Sequence, residues 1–338
     1  MPTVLACPDK FRGTASAREL AAAVRQAARA SGWRCDEAPV ADGGEGILDV
    51  LGGKRHSTRV QGPLGEVVDA EWRMQGDGRN TRAVIEMARA AGLDLVGGAE
   101  WNDPLRATTA GVGQLIMAAV SAGARRIIVG VGGSASTDGG QACLEALEPR
   151  ARLTGVDLVV ACDVTTTFVD AARVFAGQKG ATDKQIELLA RRLEALASQY
   201  EDVYGVDVRD LPGSGAAGGL AGGLAAIGAD LVPGFELVAD TIDLASRVEG
   251  ADLVVTGEGF LDDQSFAGKA VGGVLELAAE FDVPALVVAG QIVDGLPPFD
   301  SDVTVVSLVE EFGDERSRTD TAACVHDVVR RHLEALAR

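Results

Sequence analysis

Residues 35–51 read CDEAPVADGGEGILDVL. Residues 35–40 have strand character, residues 46–51 open a helical pattern, and ADGGEG (residues 41–46) is the turn between them. Strand, glycine-rich turn and helix together are the repeating unit of an α/β protein with a largely parallel sheet. The turn also carries chemistry. Asp42 and Glu45 bracket Gly43 and Gly44, and the loop leaves the carboxyl end of a strand, where open α/β sheets bind ligands. Glycines let a backbone approach a ligand closely, and the two carboxylates suit a proton or a Mg2+ ion. A plain turn with an Asp cap is the equal alternative at this point.

The same rhythm extends outward. Upstream, residues 3–7 read as a strand and residues 16–30 as a helix, with Ser16 and Glu19 spaced as a capping box. Toward the other end, residues 251–256, 285–289 and 303–308 read as strands, and residues 269–281 and 321–336 as helices. The middle differs. Residues 57–74 read as paired strands around Gly62-Pro63-Leu64-Gly65, with further strands at 83–87, 126–131 and 158–162 and helices at 111–122, 182–200 and 213–229. The two ends complete one another. The expected fold is α/β, with a discontinuous doubly wound parallel sheet from residues 1–55 and 240–338 and a second α/β domain, residues 56–239, inserted into it.

Composition narrows the function. Aromatic residues are 4% of the chain, which argues against base-stacking platforms and aromatic sugar clefts. A formal charge of −19 repels nucleic acid and anionic membranes, yet leaves room for a local cationic pocket. Five cysteines without C-x-x-C spacing and three histidines supply neither a disulfide framework nor a zinc or triad site. The opening residues MPTVLACPDKFRG read as a first strand rather than a signal peptide, and no transmembrane helix is expected, so a cytoplasmic protein is the expectation.

Four further loops combine glycine with charge. GVGGSASTDGG (130–140) offers many N–H and O–H donors suited to phosphoryl oxygens, and Asp138 adds a hard oxygen ligand for Mg2+. Read loosely, Gly130, Gly132 and Ala135 also fit a dinucleotide fingerprint, but Asp138-Gly139-Gly140 delays the helix that such a fingerprint requires. In TGEGFLDDQSFAGK (256–269), Lys269 opens a helix and is placed for an anion, although the spacing is not that of a P-loop. PDKFRG (8–13) puts Lys10 and Arg12 after the first strand, as ligands for a substrate carboxylate or as exposed cations. QKGA (178–181) and GSGAAGGL (213–220) are polar glycine turns. Carboxylates, cations and glycine loops without a His or Cys constellation fit phosphoryl transfer, which needs positioning and charge neutralisation more than a covalent nucleophile.

On these motifs, together with AVIEMARAAGL (83–93), ATTAGVGQLI (107–116) and ACDV (161–164), the chain resembles the glycerate kinase type 1 family, the bacterial glycerate 2-kinases, over nearly its whole length. The resemblance implies ATP- and Mg2+-dependent phosphorylation of D-glycerate, giving 2-phosphoglycerate. It also implies a flavodoxin-like domain and an inserted α/β domain, with the active site in the cleft between them. Carried onto this sequence, it implies catalytic roles for Asp42, Lys10 and Glu45. Asp42 would orient or deprotonate the attacking hydroxyl. Asp9, Lys10, Arg12, Gly43, Gly44, Glu258, Asp262 and Gln264 would bind substrate. Gly132, Gly133, Ser134, Ser136, Thr137, Gly139, Gly140, Lys179 and Lys269 would bind nucleotide. Asp138 and Asp163 would hold the metal.

The sequence departs from the family pattern at Lys10 and Arg12, at residues 165–173 (TTTFVDAAR), at Gly177 and at Phe260. These departures leave a kinase for a related small hydroxy acid as an alternative. A nicotinamide-dependent oxidoreductase and a small-ligand binding protein are the readings from other classes. Expected partners are glycerate and a nucleotide. Oligomeric state, with a homodimer as one expectation, and 2- versus 3-phosphorylation are left open by sequence.

Overall fold

The computed structural model describes residues 1–266, 269–293, 296 and 301–336, without the side chains of Arg79, Asp263 and Gln264. The strands among these residues are β1 (Thr3–Pro8), β2 (Arg34–Glu37), β3 (Lys54–Gln61), β4 (Val67–Gln75), β5 (Arg82–Glu86), β6 (Arg126–Gly130), β7 (Asp157–Ala161), β8 (Asp230–Val232), β9 (Leu253–Leu261), β10 (Ala285–Ile292) and β11 (Val303–Ser307). The chain divides into two compact units. Unit 1 is Met1–Asp42 with Phe235–Arg338, and unit 2 is Gly43–Gly234.

Unit 1 is built on a parallel sheet of order β11-β10-β9-β1-β2. Counted along the unit's own chain this is the flavodoxin-like order, which reverses direction between β1 and β9. Both faces of the sheet are covered, and the sequence shows why. Val4 and Ala6 of β1 fall on one face, in a core with Leu20 and Val24 of the helix Ala17–Ala30 and Val325 and Val329 of the helix Thr321–Leu336. Leu5 and Cys7 point the other way, into a core with Leu244, Val248 and Val274. A strand buried on both faces reads as a continuous apolar run, as TVLAC does. The helix Ala17–Ala30 starts at Ser16 with the capping box that its sequence predicts.

Unit 2 has a mixed sheet of order β3-β4-β5-β6-β7-β8. β3, β4 and β5 are antiparallel neighbours, and β5 through β8 run parallel. Ile127 and Val129 of β6 pack with Val112, Leu115 and Ile116 of the helix Ala110–Ser121 in one large core.

Several elements differ from the sequence expectation. The first segment of unit 1 ends at Asp42 rather than at residue 55, because the helix Ile47–Leu51 is tied into unit 2: the Glu86 carboxylate accepts the N–H groups of Gly46 at 2.8 Å and Leu48 at 3.2 Å. Gly46 has no side chain with which to cap that helix, and Glu86 takes over the task from the end of β5. The expected helix at 213–229 is broken. Ala217 and Gly218 take φ of 52° and 67°, and the regular helix covers only Leu220–Ala226. β9 does not end before Gly-Glu-Gly. Pairing with β10 carries it through Glu258, opposite Ala289, as far as Leu261, opposite Ile292.

Candidate active site

Unit 1 contains a cavity of about 350 Å³ at the carboxyl ends of its strands. It lies where the strand order reverses, the usual ligand position in such sheets. Asp9, Lys10 and Arg12 reach it from the loop after β1, Asp42 from beyond β2, Glu258 and Phe260 from β9, and Lys269 from the start of the helix Ala270–Glu280. Arg318, from the helix Asp314–Thr319, and Gln291 of β10 complete the wall. The last two escaped sequence reading, since DERSRT resembles an ordinary solvated helix face with an i,i+4 pair, here Arg318 to Asp314 at 2.8 Å.

The Lys10 ammonium stands 3.7 Å from Asp9 Oδ1 and 3.7 Å from Asp42 Oδ1. Asp9 is buried. Its burial, with Asp42 and Glu258 adding to it and Lys10 opposing, pushes its carboxyl up to about 7. Burial also raises the Glu258 carboxyl, opposed by a hydrogen bond from the Ser265 side chain and by the charge of Lys269, and its Oε1 is buried with no hydrogen-bond partner among the described residues. Arg12 and Lys269 have no ion-pair partner among the described residues. Two cations without an ion-pair partner among the described residues, facing a cavity on a chain of charge −19, suit an anion.

One predicted substrate ligand is placed differently. Asp262 caps the turn that follows β9: its Oδ1 accepts the N–H of Ser265 at 3.1 Å, and its own N–H donates to Ser265 Oγ at 3.0 Å. It does not line the cavity. The Gln264 side chain lies outside the described residues. Lys269, expected at the nucleotide, stands in the same cavity as Asp9 and Lys10. Glu45 belongs to unit 2 and is exposed.

In unit 2 the two glycine loops singled out from the sequence pack on one another. A Cβ on Gly130 would meet the Gly43 carbonyl oxygen at 2.5 Å, and one on Gly132 would meet Gly44 Cα at 3.1 Å. These glycines therefore serve a backbone-to-backbone contact, whatever else they do. Only Gly132 and Gly133 of the second loop reach the surface; Ser134 through Gly140 are buried. Gly139 packs on Leu196 and Phe168, and its carbonyl accepts the Tyr200 hydroxyl at 2.9 Å. Gly139 and Gly140, expected at the nucleotide, are both buried. The Ser136 and Thr137 hydroxyl oxygens are buried without hydrogen-bond partners among the described residues.

Asp138 and Lys179 lie beneath this loop. Asp138 Oδ2 accepts the Thr109 N–H at 2.9 Å and the Thr109 hydroxyl at 2.8 Å, and its Oδ1 accepts the Gly140 N–H at 3.1 Å. Both oxygens are taken by the protein, so Asp138 anchors the loop and does not fit the expected metal role. Sequence alone does not mark Thr109 as part of this network, because a threonine just before a helix reads as a cap. Asp163, the other expected ligand, is half-buried and accepts the Gly234 N–H at 2.8 Å. No group of three or more His, Cys, Asp or Glu side chains suited to a metal occurs among the described residues.

Lys179 is 3% exposed, and its ammonium donates to the Ser136 carbonyl at 2.6 Å. It supports the loop from behind. Burial lowers its amine to about 7, against a weaker opposing pull from Asp138. With a depressed folded-state value, Lys179 favours folding more as pH rises through 7. Unit 2 should therefore gain stability between about pH 7 and 8.5, below the range where buried thiols begin to oppose it. Lys179→Met should flatten that rise, which urea denaturation at several pH values would measure.

No helix among the described residues is long and apolar enough to cross a membrane. Comparison with known proteins gives a consistent result. The glycerate kinase family matches residues 4–151 and 148–337. A glycerate 2-kinase of Escherichia coli (strain K12) is 38% identical over 330 residues, covering 86% of each chain. A glycerate kinase of Bacillus subtilis (strain 168) is 39% identical over 327 residues, 86% of this chain and 85% of its own. A crystal structure of a protein assigned as glycerate kinase 2, from Salmonella typhimurium LT2, superposes with a TM-score of 0.83 at 32% identity, over 99% of this chain and 98% of its own. Continuous similarity in sequence and in backbone, across both units, makes this chain a member of the glycerate kinase family.

Proposed function

We propose that the protein transfers the terminal phosphoryl group of ATP to D-glycerate, giving 2-phosphoglycerate, and that the unit 1 cavity takes the acid. The observation that carries this reading is the meeting of the cations Arg12 and Lys269 with the carboxylates Asp9, Asp42 and Glu258 in one cavity. A small hydroxy acid presents both an anion and a hydroxyl to be activated. Arg12, with its planar fork of donors, holds the carboxylate. Lys10, already balanced between Asp9 and Asp42, lies where negative charge gathers on the reacting oxygens.

On the nucleotide side, Gly132 and Gly133 are the accessible part of the glycine loop and suit close approach by phosphate. A Mg2+ ion bound with the nucleotide takes most of its ligands from water and phosphate and needs only one or two carboxylates. Asp163 fits that requirement, and Asp138, with both oxygens engaged, does not. When bound, the ion neutralises charge on the transferred phosphoryl group.

The test is incubation of the purified chain with ATP, Mg2+ and D-glycerate, following ADP release and locating the phosphate on the product by phosphorus NMR. Absence of ADP release sinks the reading, and phosphate on the terminal carbon redirects it to 3-phosphoglycerate. Arg12→Ala should raise KM for glycerate by about ten- to a hundredfold, the usual range for a hydrogen bond to a charged group. It should leave KM for ATP and kcat nearly unchanged, since the carboxylate is bound alike in ground and transition states. Steady-state kinetics in both substrates checks this.

A further inference from the structure

We propose that Asp9, rather than Asp42, takes the proton from the attacking substrate hydroxyl. The proposal rests on the kinase reading above. Asp9 follows the last residue of β1, at the reversal of strand order, and lines the cavity although it is only 6% exposed. Its carboxylate contacts among the described residues use Oδ1, which accepts the Lys10 N–H at 2.6 Å and stands 3.7 Å from the Lys10 ammonium. Oδ2 is the oxygen left for a ligand hydroxyl. Asp42 has a side chain 31% exposed, so water competes for its oxygens.

The charged groups facing Asp9 come from three places: Lys10 on its own loop, Asp42 beyond β2 and Glu258 on β9. Arg12, Lys269 and Arg318 stand on the same cavity wall. Burial together with the two neighbouring carboxylates makes Asp9 a stronger base than an open carboxylate, with a pKa near 7. A proton acceptor works best when its pKa lies near the working pH.

In the step, the substrate O–H proton passes to Asp9 Oδ2 while the freed oxygen bonds to the terminal phosphorus of the nucleotide. The bond from that phosphorus to its bridging oxygen breaks, and its electron pair leaves on the nucleoside diphosphate. Lys10 is placed to hold charge on the attacking oxygen until the new bond forms.

The experiment compares wild type, Asp9→Asn and Asp42→Asn in the full chain, with ATP, Mg2+ and D-glycerate, across pH. Asp9→Asn should lower kcat by about a hundredfold or more, the range for loss of a general base. Calorimetric binding of D-glycerate should change little. Wild-type kcat should fall as pH drops through about 7; Asp42→Asn should keep that limb, moved to lower pH by loss of the neighbouring charge, and the residual activity of Asp9→Asn should lack it. Folding is checked separately. The folded pKa of Asp9 is raised, so its contribution to stability is full below its unfolded value of 3.8 and is lost as pH rises through about 7. At pH values above this, Asp9→Asn should melt no lower than wild type. An active wild type with Asp9→Asn within about tenfold of it overturns the proposal alone, since a general base contributes more. So does a flat wild-type profile through neutrality, whatever the variants do. A wild type that releases no ADP with D-glycerate overturns the glycerate reading and this inference with it.

Discussion

Asp138→Ala should destabilise unit 2 by about 4 kcal/mol, a large share of the 5–15 kcal/mol that holds a typical domain together. The loss has a definite origin. The N–H and hydroxyl of Thr109 and the N–H of Gly140 all donate to this one carboxylate, and the Thr109 oxygen in turn accepts the Cys143 N–H at 3.1 Å. Removing the acceptor strands buried donors at about 1–3 kcal/mol each, not strictly additive. An opposing effect must be weighed. Burial raises the Asp138 carboxyl, so loss of a desolvated charge returns some stability.

Asp138→Asn separates the two effects, because it removes the charge, keeps the volume and retains an acceptor oxygen. It should lose less than half of what the alanine variant loses. Calorimetry should show the alanine variant melting about 10 °C lower, at roughly 2–4 °C per kcal/mol for a domain of this size. A loss below about 1 kcal/mol would mean that water re-satisfies the donors and that the network is weaker than its geometry indicates.

Gly43→Ala should cost unit 2 about 3 kcal/mol or more. Two penalties combine. Gly43 has φ of +84°, a left-handed conformation that costs an L-residue about 1–2 kcal/mol. The added Cβ would also lie 2.6 Å from Gly234 Cα and 3.0 Å from the Ala161 Cβ. The nearer obstacle is backbone, which cannot rotate away as a long side chain can. Gly65→Ala is the control: φ there is +102° with open space around the position, so only the conformational cost applies. Urea midpoints for the two variants check the difference. Equal losses would show that the loop shifts to relieve the crowding.

Much of this was legible in the sequence. The continuous apolar run TVLAC, the Ser16–Glu19 capping box and the glycine turn after β2 are local signals, and local physics decides them. Other features depend on what the fold places alongside. TGEG looked like a loop because glycine is a poor strand residue, yet pairing with β10 extends the strand through it. Residues 213–229 are small and apolar, as a tight helix would be, but the left-handed Ala217 and Gly218 break it.

The site residues show the same division. The loops after β1 and β2, and Glu258 on β9, meet in one cavity as strand-end logic predicts. The family resemblance implies ligand roles for Asp138, Gly139 and Lys179. Their burial, which no spacing reveals, turns them into the loop's support. Asp262 shows the same ambiguity on a smaller scale, since an aspartate that caps a turn and one that binds a substrate are indistinguishable until the turn is seen.

The contact that makes Gly43 intolerant of a side chain has a wider use. Gly43 and Gly234 are the first and last residues of unit 2, and they touch. A module that begins and ends at one point can be cut from its host gene, joined head to tail by a short bridge, or reopened at a surface turn as a circular permutant. Gly65, exposed at the tip of the β3–β4 hairpin, is a natural place for the new ends. Residues 43–234 thus have the joined ends that a transplantable cassette needs, and the ADGGEG turn is one half of that seam.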